Sequence, residues 1–102
     1  TEYQEKNNFE IHLNSQDIKL PLFITTRSDG MKMAVKNLNG HRKVNDILID
    51  KKIPKEKRDQ IPILIDTNGT VLWILGVSKS KYDLAKDENY DIIYKYIERK
   101  EL

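Results

Sequence analysis

The stretch Ile63-Leu64-Ile65-Asp66-Thr67-Asn68-Gly69-Thr70-Val71-Leu72-Trp73-Ile74-Leu75 decides the fold. Two short runs, rich in β-branched and aromatic residues, flank a polar centre. Asn68-Gly69 can take the positive φ that a tight hairpin turn requires. Each run is apolar at consecutive positions, so both faces of each strand need cover. A hairpin of this kind belongs in the middle of a sheet, not at its edge. Trp73 sits between Leu72 and Ile74 and reads as a core residue rather than an exposed stacking platform.

Working outward, Phe9, Ile11 and Leu13 alternate with Glu10 and His12, the pattern of a half-buried strand. His12 is then expected to face water. Ile18-Lys19-Leu20 and Leu22 to Thr26 read as strand, with Pro21 marking an edge or bulge. Ser28-Asp29-Gly30 is a turn. Lys32 to Val35 reads as a further strand and Asn37 to Gly40 as a loop, with His41 beside it. Val44, Ile47 and Leu48 fall at i, i+3 and i+4, which predicts a helix ending before Ile53-Pro54. Pro54 can open a second short helix over Lys55 to Gln60. On the far side of the hairpin, Asp91 to Glu98 alternates and reads as strand, although a short helix also fits. Strands with short helices in one stretch of 102 residues predict a single α+β domain spanning 1–102.

Composition narrows the function. There is no cysteine, which removes disulfides and thiolate chemistry and suits a cytoplasmic setting. No apolar run approaches the ~18 residues of a membrane span. The opening TEYQEKNNFE has no signal-peptide pattern, and it does not begin on Met, so a longer parent is expected. Net charge is only +2, but it is unevenly placed. From Arg27 to Arg58 there are ten Lys or Arg against four acids, a surplus of six, while the remainder carries eight bases against twelve acids. A basic middle between acidic flanks creates a local positive field on a nearly neutral molecule. The same count also suits an ordinary solvated surface.

The catalytic vocabulary is thin. His12 and His41 are the only imidazoles and no HxxxH or HExxH spacing joins them, so no metal site is expected. The four glycines, at 30, 40, 69 and 76, occur singly and form no phosphate-cradling loop. Ser15, Ser28, Ser78 and Ser80 lack a nucleophile-elbow context. No catalytic residue is assigned.

Between Arg27 and Val77 a series of short motifs falls in register. Arg27 and Gly30 come first, then Gly40-His41-Arg42-Lys43-Val44. Ile49-Asp50-Lys51-Lys52-Ile53-Pro54 is followed by Arg58-Asp59, Pro62, Trp73 and Gly76. In this order and spacing the sequence resembles the C-terminal domain of bacterial tRNA(Ile)-lysidine synthetases. The first 26 and last 25 residues fit only loosely. Met31 and Lys32 stand where that family usually has Asp and Arg, and Ser78 where a basic residue often follows the glycine. Lys32 keeps charge but not bidentate geometry.

The resemblance implies a small β-sandwich-like core with short helices, similar to a domain of the phenylalanyl-tRNA synthetase β chain. It implies a parent ligase that uses ATP, with Mg2+, to activate the wobble cytidine of tRNA(Ile), which lysine then attacks to give lysidine. That chemistry would lie in a separate N-terminal domain carrying an SGGxDS loop, absent here. This fragment would itself hold no cofactor. Its partners would be the acceptor stem of tRNA(Ile) and the parent's remaining domains. A duplex stem is recognised by shape, phosphates and 2′-hydroxyls. The candidate contacts are Arg27, Lys32, Lys36, His41, Arg42, Lys43, Lys51, Lys52, Lys55 and Arg58. Gly40 to Lys43 is expected to form the start of the helix, with Lys51 and Lys52 at its other end. Arg58 and Asp59 are an alternative ion pair, and Lys57 is expected to be merely solvated. A stand-alone RNA- or protein-binding module, and a structural or homodimerising domain, stay open as alternatives.

Overall fold

A computed structural model describes residues 7–36 and 40–98 of the chain. The hairpin is present where the sequence predicts it. Ile63–Ile65 (β5) pairs antiparallel with Val71–Ile74 (β6). Gly69 closes the turn at φ +83°. The turn is organised by Asp66, whose Oδ1 accepts the Asn68 and Thr70 amides, both at 2.9 Å. Its Oδ2 accepts the Lys19 amide at 3.0 Å. Burial alone would raise this carboxyl's pKa, but the backbone donors outweigh it and hold the group below the usual aspartate value.

β5 and β6 are the central strands of a four-stranded sheet. Phe23–Thr25 (β2) lies on one side and Ser78–Lys79 (β7) on the other. One face of the sheet is covered by Val44–Asp50 (α1) and by the ribbon of Lys32–Ala34 (β3) and His41–Lys43 (β4). Met33, Val44, Ile47 and Leu48 pack there against Ile63, Val71 and Ile74. The other face is covered by the ribbon of Glu10–Leu13 (β1) and Ile92–Lys95 (β8). Ile11 and Leu13 pack there against Leu64, Leu72 and Trp73. The predicted α+β sandwich is therefore observed, with two cores on either side of one sheet.

The pairing of β5 with β6 shifts by one residue between Leu64 and Ile65. Leu64 faces Trp73 and Ile65 faces Val71, so Leu72 is the extra residue of a bulge. The bulge breaks the alternation and directs two consecutive side chains, Leu72 and Trp73, into the same core. Trp73 is 2% exposed, as its sequence context predicts. Its indole N–H donates to the Asn8 carbonyl at 2.9 Å, and the Gly76 amide donates to the same oxygen at 2.9 Å. Gly76 has φ +76°, and a Cβ there would lie 3.3 Å from the Phe9 ring. The Trp73 and Gly76 motif is thus a packing motif.

Several sequence expectations are corrected. Ile18 to Leu20 is not a strand. Ser15–Asp17 forms a single 3-10 turn, where the Asn14 side chain accepts the Gln16 amide, and the Asp66 carboxylate then takes the Lys19 amide that a ladder would need. The second helix (α2) spans only Lys55–Arg58. The loop expected over Asn37 to Gly40 lies outside the described residues except for Gly40. His12 does not face water: its side chain is 12% exposed, bonded to Glu10 Oε2 at 2.5 Å and stacked on Tyr90. The bond to His12 lowers the Glu10 pKa.

Candidate nucleic-acid interface

The basic segment begins on the β3–β4 ribbon. Lys32 lies opposite Lys43, Met33 opposite Arg42 and Ala34 opposite His41. Met33 is fully buried, so its pleat faces the core. Lys32 and Lys43, one residue out of phase with it, are exposed together on the outer face. Neither makes an ion pair among the described residues. The expectation that His41 to Lys43 begin the helix, with His41 in a loop, is corrected: they are a strand. Lys43 is still extended (φ −66°, ψ 136°), and the Val44 amide is taken by the Met31 carbonyl at 2.9 Å. The helix therefore starts after Lys43, at Val44, and not at Gly40.

The other end of α1 closes with two reciprocal bonds. The Lys52 amide donates to the Ile49 carbonyl at 2.9 Å and the Ile53 amide to the Leu48 carbonyl at 3.0 Å. This termination requires a left-handed residue, usually glycine. Here it is Lys52, at φ +61°. Lys51 and Lys52 are both exposed. Arg42 donates to the Asp50 carboxylate. That bond ties β4 to the last turn of α1, whose C-cap is Lys51.

Not every candidate is without a partner in the protein. Arg27 donates through Nε to Asp59 and through Nη1 to Asn45, each at 2.8 Å. Arg58 does not pair with its neighbour Asp59; its Nε caps the Ile53 carbonyl at 2.9 Å. Both arginines act first as ties between segments. Lys36 is bonded to Asp83 at 3.1 Å. Lys32, His41, Lys43, Lys51, Lys52 and Lys55 are exposed and make no ion pair among the described residues. Lys57 is exposed as expected.

Residues 22–94 match the family model described as the TilS substrate C-terminal domain. The chain belongs to that family. A bifunctional protein TilS/HprT of Listeria innocua is 45% identical over 71 residues, covering 70% of this chain and 11% of that protein. The tRNA(Ile)-lysidine synthase of Bacillus subtilis is 37% identical over 94 residues, covering 91% of this chain and 20% of that protein. A crystal structure of a TilS C-terminal domain superposes with a TM-score of 0.78 at 29% identity, covering 97% of this chain and 78% of the other. The chain therefore spans between a tenth and a fifth of the length of these curated relatives.

In this TilS C-terminal domain the family motifs divide by role. Arg27, Arg58, Asp59, Trp73 and Gly76 hold segments together. The lysines of β3, β4 and the α1 end form the exposed cationic surface. Among the described residues no His, Asp or Glu cluster could hold a metal ion, and no helix is long and apolar enough to cross a membrane. Sequence reading missed Lys79 and Asp83. Lys79 bonds Asp83 at 3.2 Å, so Asp83 serves both Lys79 and Lys36. Only the i, i+4 spacing of Lys79 and Asp83 signalled this; Lys36 lies 47 positions from Asp83.

Proposed function

We propose that this chain is the tRNA-contacting part of a tRNA(Ile)-lysidine synthase, gripping the acceptor stem while the ligase chemistry takes place elsewhere in the parent. The observation that carries the reading is the Lys32–Lys43 pair. Like charges directly opposite on a ladder destabilise it, and nothing among the described residues neutralises them. A polyanion turns that cost into binding energy. Lys51 and Lys52 extend the positive surface beyond the ribbon. Exposed lysines on a ribbon and a helix end suit the regular phosphates of a duplex stem. The parent would act in the cytoplasm with ATP and Mg2+; this chain alone would show no tRNA-dependent ATP–pyrophosphate exchange.

The test is titration of a blunt acceptor-stem RNA with the wild-type chain, Lys32→Ala and Lys43→Ala at several salt concentrations. Each variant should weaken binding to matched and mismatched stems alike. Each should also flatten the log–log salt dependence by about 0.9, using the B-DNA coefficient. Folded variants with unchanged affinity and slope would refute the reading.

A second reading, a protein-contact or homodimerising surface, is favoured by the edge strand β2. Phe23 and Ile24 are 50% and 58% exposed there, with Leu20 at 52% beside them. Sedimentation equilibrium of the chain tests the homodimer, which a concentration-independent monomer mass would exclude.

A further inference from the structure

Asp83 is 8% exposed, and a single oxygen of its carboxylate, Oδ2, receives two ammonium groups. Lys36 lies 3.1 Å away and Lys79 3.2 Å away. The other oxygen accepts the His12 amide at 3.1 Å, which fixes the carboxylate. Lys79 is held further by the Glu10 carbonyl at 3.2 Å. These side chains line an open cleft of about 690 Å³, with Lys86 on its wall.

Two ammoniums on one carboxylate leave a surplus positive charge at that point. Each ammonium has three donors. Lys36 spends one of them and Lys79 two within the protein, so donors remain for an anion. Glu10, whose carboxylate is hydrogen-bonded to His12, and Asp87 are the other acids of the lining, beside Lys86. The cleft falls in the ~300–1,000 Å³ range of small-ligand sites. A duplex, which proteins contact across its outside, cannot enter such a space, whereas an unpaired nucleotide can. The cleft also adjoins the proposed stem surface. Lys36 follows β3 by two residues, and the Lys81 amide donates to the Ala34 carbonyl at 2.9 Å. The four residue steps from Lys32 to Lys36 span at most ~13 Å.

We infer that this cleft receives the phosphate of an unpaired nucleotide of the same RNA, gripped by Lys79 and Lys36 with Asp83 positioning both ammoniums. The inference rests on the RNA-binding reading above. The grip is on phosphate and therefore tolerant of base identity. The His12 ring is covered by Tyr90 at a centroid distance of 4.5 Å, which makes it a wall and not a stacking platform.

The experiment compares a blunt stem RNA with the same stem carrying a short single-stranded extension at either end, bound to the full 102-residue chain. An extension at one end should tighten binding to the wild type about tenfold. Lys79→Ala and Lys36→Ala should remove that gain and leave the blunt affinity unchanged. Each should lower the salt slope by about 0.7, and only on the extended RNA. Asp83→Asn should enlarge the gain, since it frees both ammoniums from their counter-charge; a purely structural role for Asp83 predicts no such increase. If Lys79→Ala does not fold, Lys36→Ala decides, because that side chain is already 48% exposed. Equal binding of blunt and extended RNA by the wild type, or variants that weaken both alike, would overturn the cleft assignment while leaving the stem surface standing. No binding of either RNA would bring down the RNA reading and this inference with it.

Discussion

Lys32 and Lys43 stand directly opposite each other across the β3–β4 ladder, exposed and without a counter-ion among the described residues. A ladder pair selected for stability alone would carry opposite charges or apolar partners. Replacing Lys43 with Thr should therefore raise stability, by less than about 1 kcal/mol, while lowering RNA affinity. Urea midpoints and RNA titrations of the same variant check both signs. A variant that loses stability and binding together would mean that the lysine stem packs on the ribbon and its charge is incidental.

Lys52 gives a second case in which stability and binding move apart. It is held at φ +61°, where a side chain costs about 1 kcal/mol relative to glycine. Lys52→Gly should raise the melting temperature, since the reciprocal bonds from Lys52 and Ile53 that close α1 need no side chain. The same change removes an exposed cation and should weaken stem binding. Calorimetry beside RNA titration reads both. An unchanged affinity would remove Lys52 from the interface.

Asp66 makes stability dependent on pH in a stated direction. Its folded pKa lies below the unfolded value of about 3.9. Its contribution is thus fully present above that value and is lost as pH falls through the folded pKa. Asp66→Asn places an amide donor against backbone donors and should cost about 1–3 kcal/mol at neutral pH. The difference from wild type should shrink below pH ~4. Denaturation at a series of pH values tests this; a gap that stays constant into acid would mean the carboxylate charge contributes nothing.

Trp73→Ala should cost about 3–5 kcal/mol, a large share of a small domain's stability. It also leaves the Asn8 carbonyl with only the Gly76 amide. A variant that melts normally but no longer binds RNA would reassign Trp73 from the core to the interface.

The hairpin, α1 and β8 were legible because their apolar residues recur at strand or helix spacing. Ile18 to Leu20 was misread because an apolar run looks like strand whether or not its amides find a ladder; here a carboxylate 47 positions away takes one of them. His41 to Lys43 hid for the opposite reason. A strand made of three polar residues has no apolar alternation, and only pairing with β3 defines it. The basic segment itself was legible, but which of its charges are free was not. Arg27, Lys36 and Arg42 are all engaged by acids 8 or more positions away in sequence, and such pairings leave no local signature.

The bulge at Leu72 works as a phase step. Side chains before it and after it keep their own two-residue rhythm, and the single added residue sets the offset between them. Deleting Leu72 itself would keep Val71, Trp73 and Ile74 opposite Ile65, Leu64 and Ile63 and would leave a hole where one side chain packs. Inserting or deleting a residue elsewhere in the strand would instead turn the side chains beyond that point over and exchange the contents of the two cores. The sandwich should therefore tolerate substitution in β6 far better than any shift in its register.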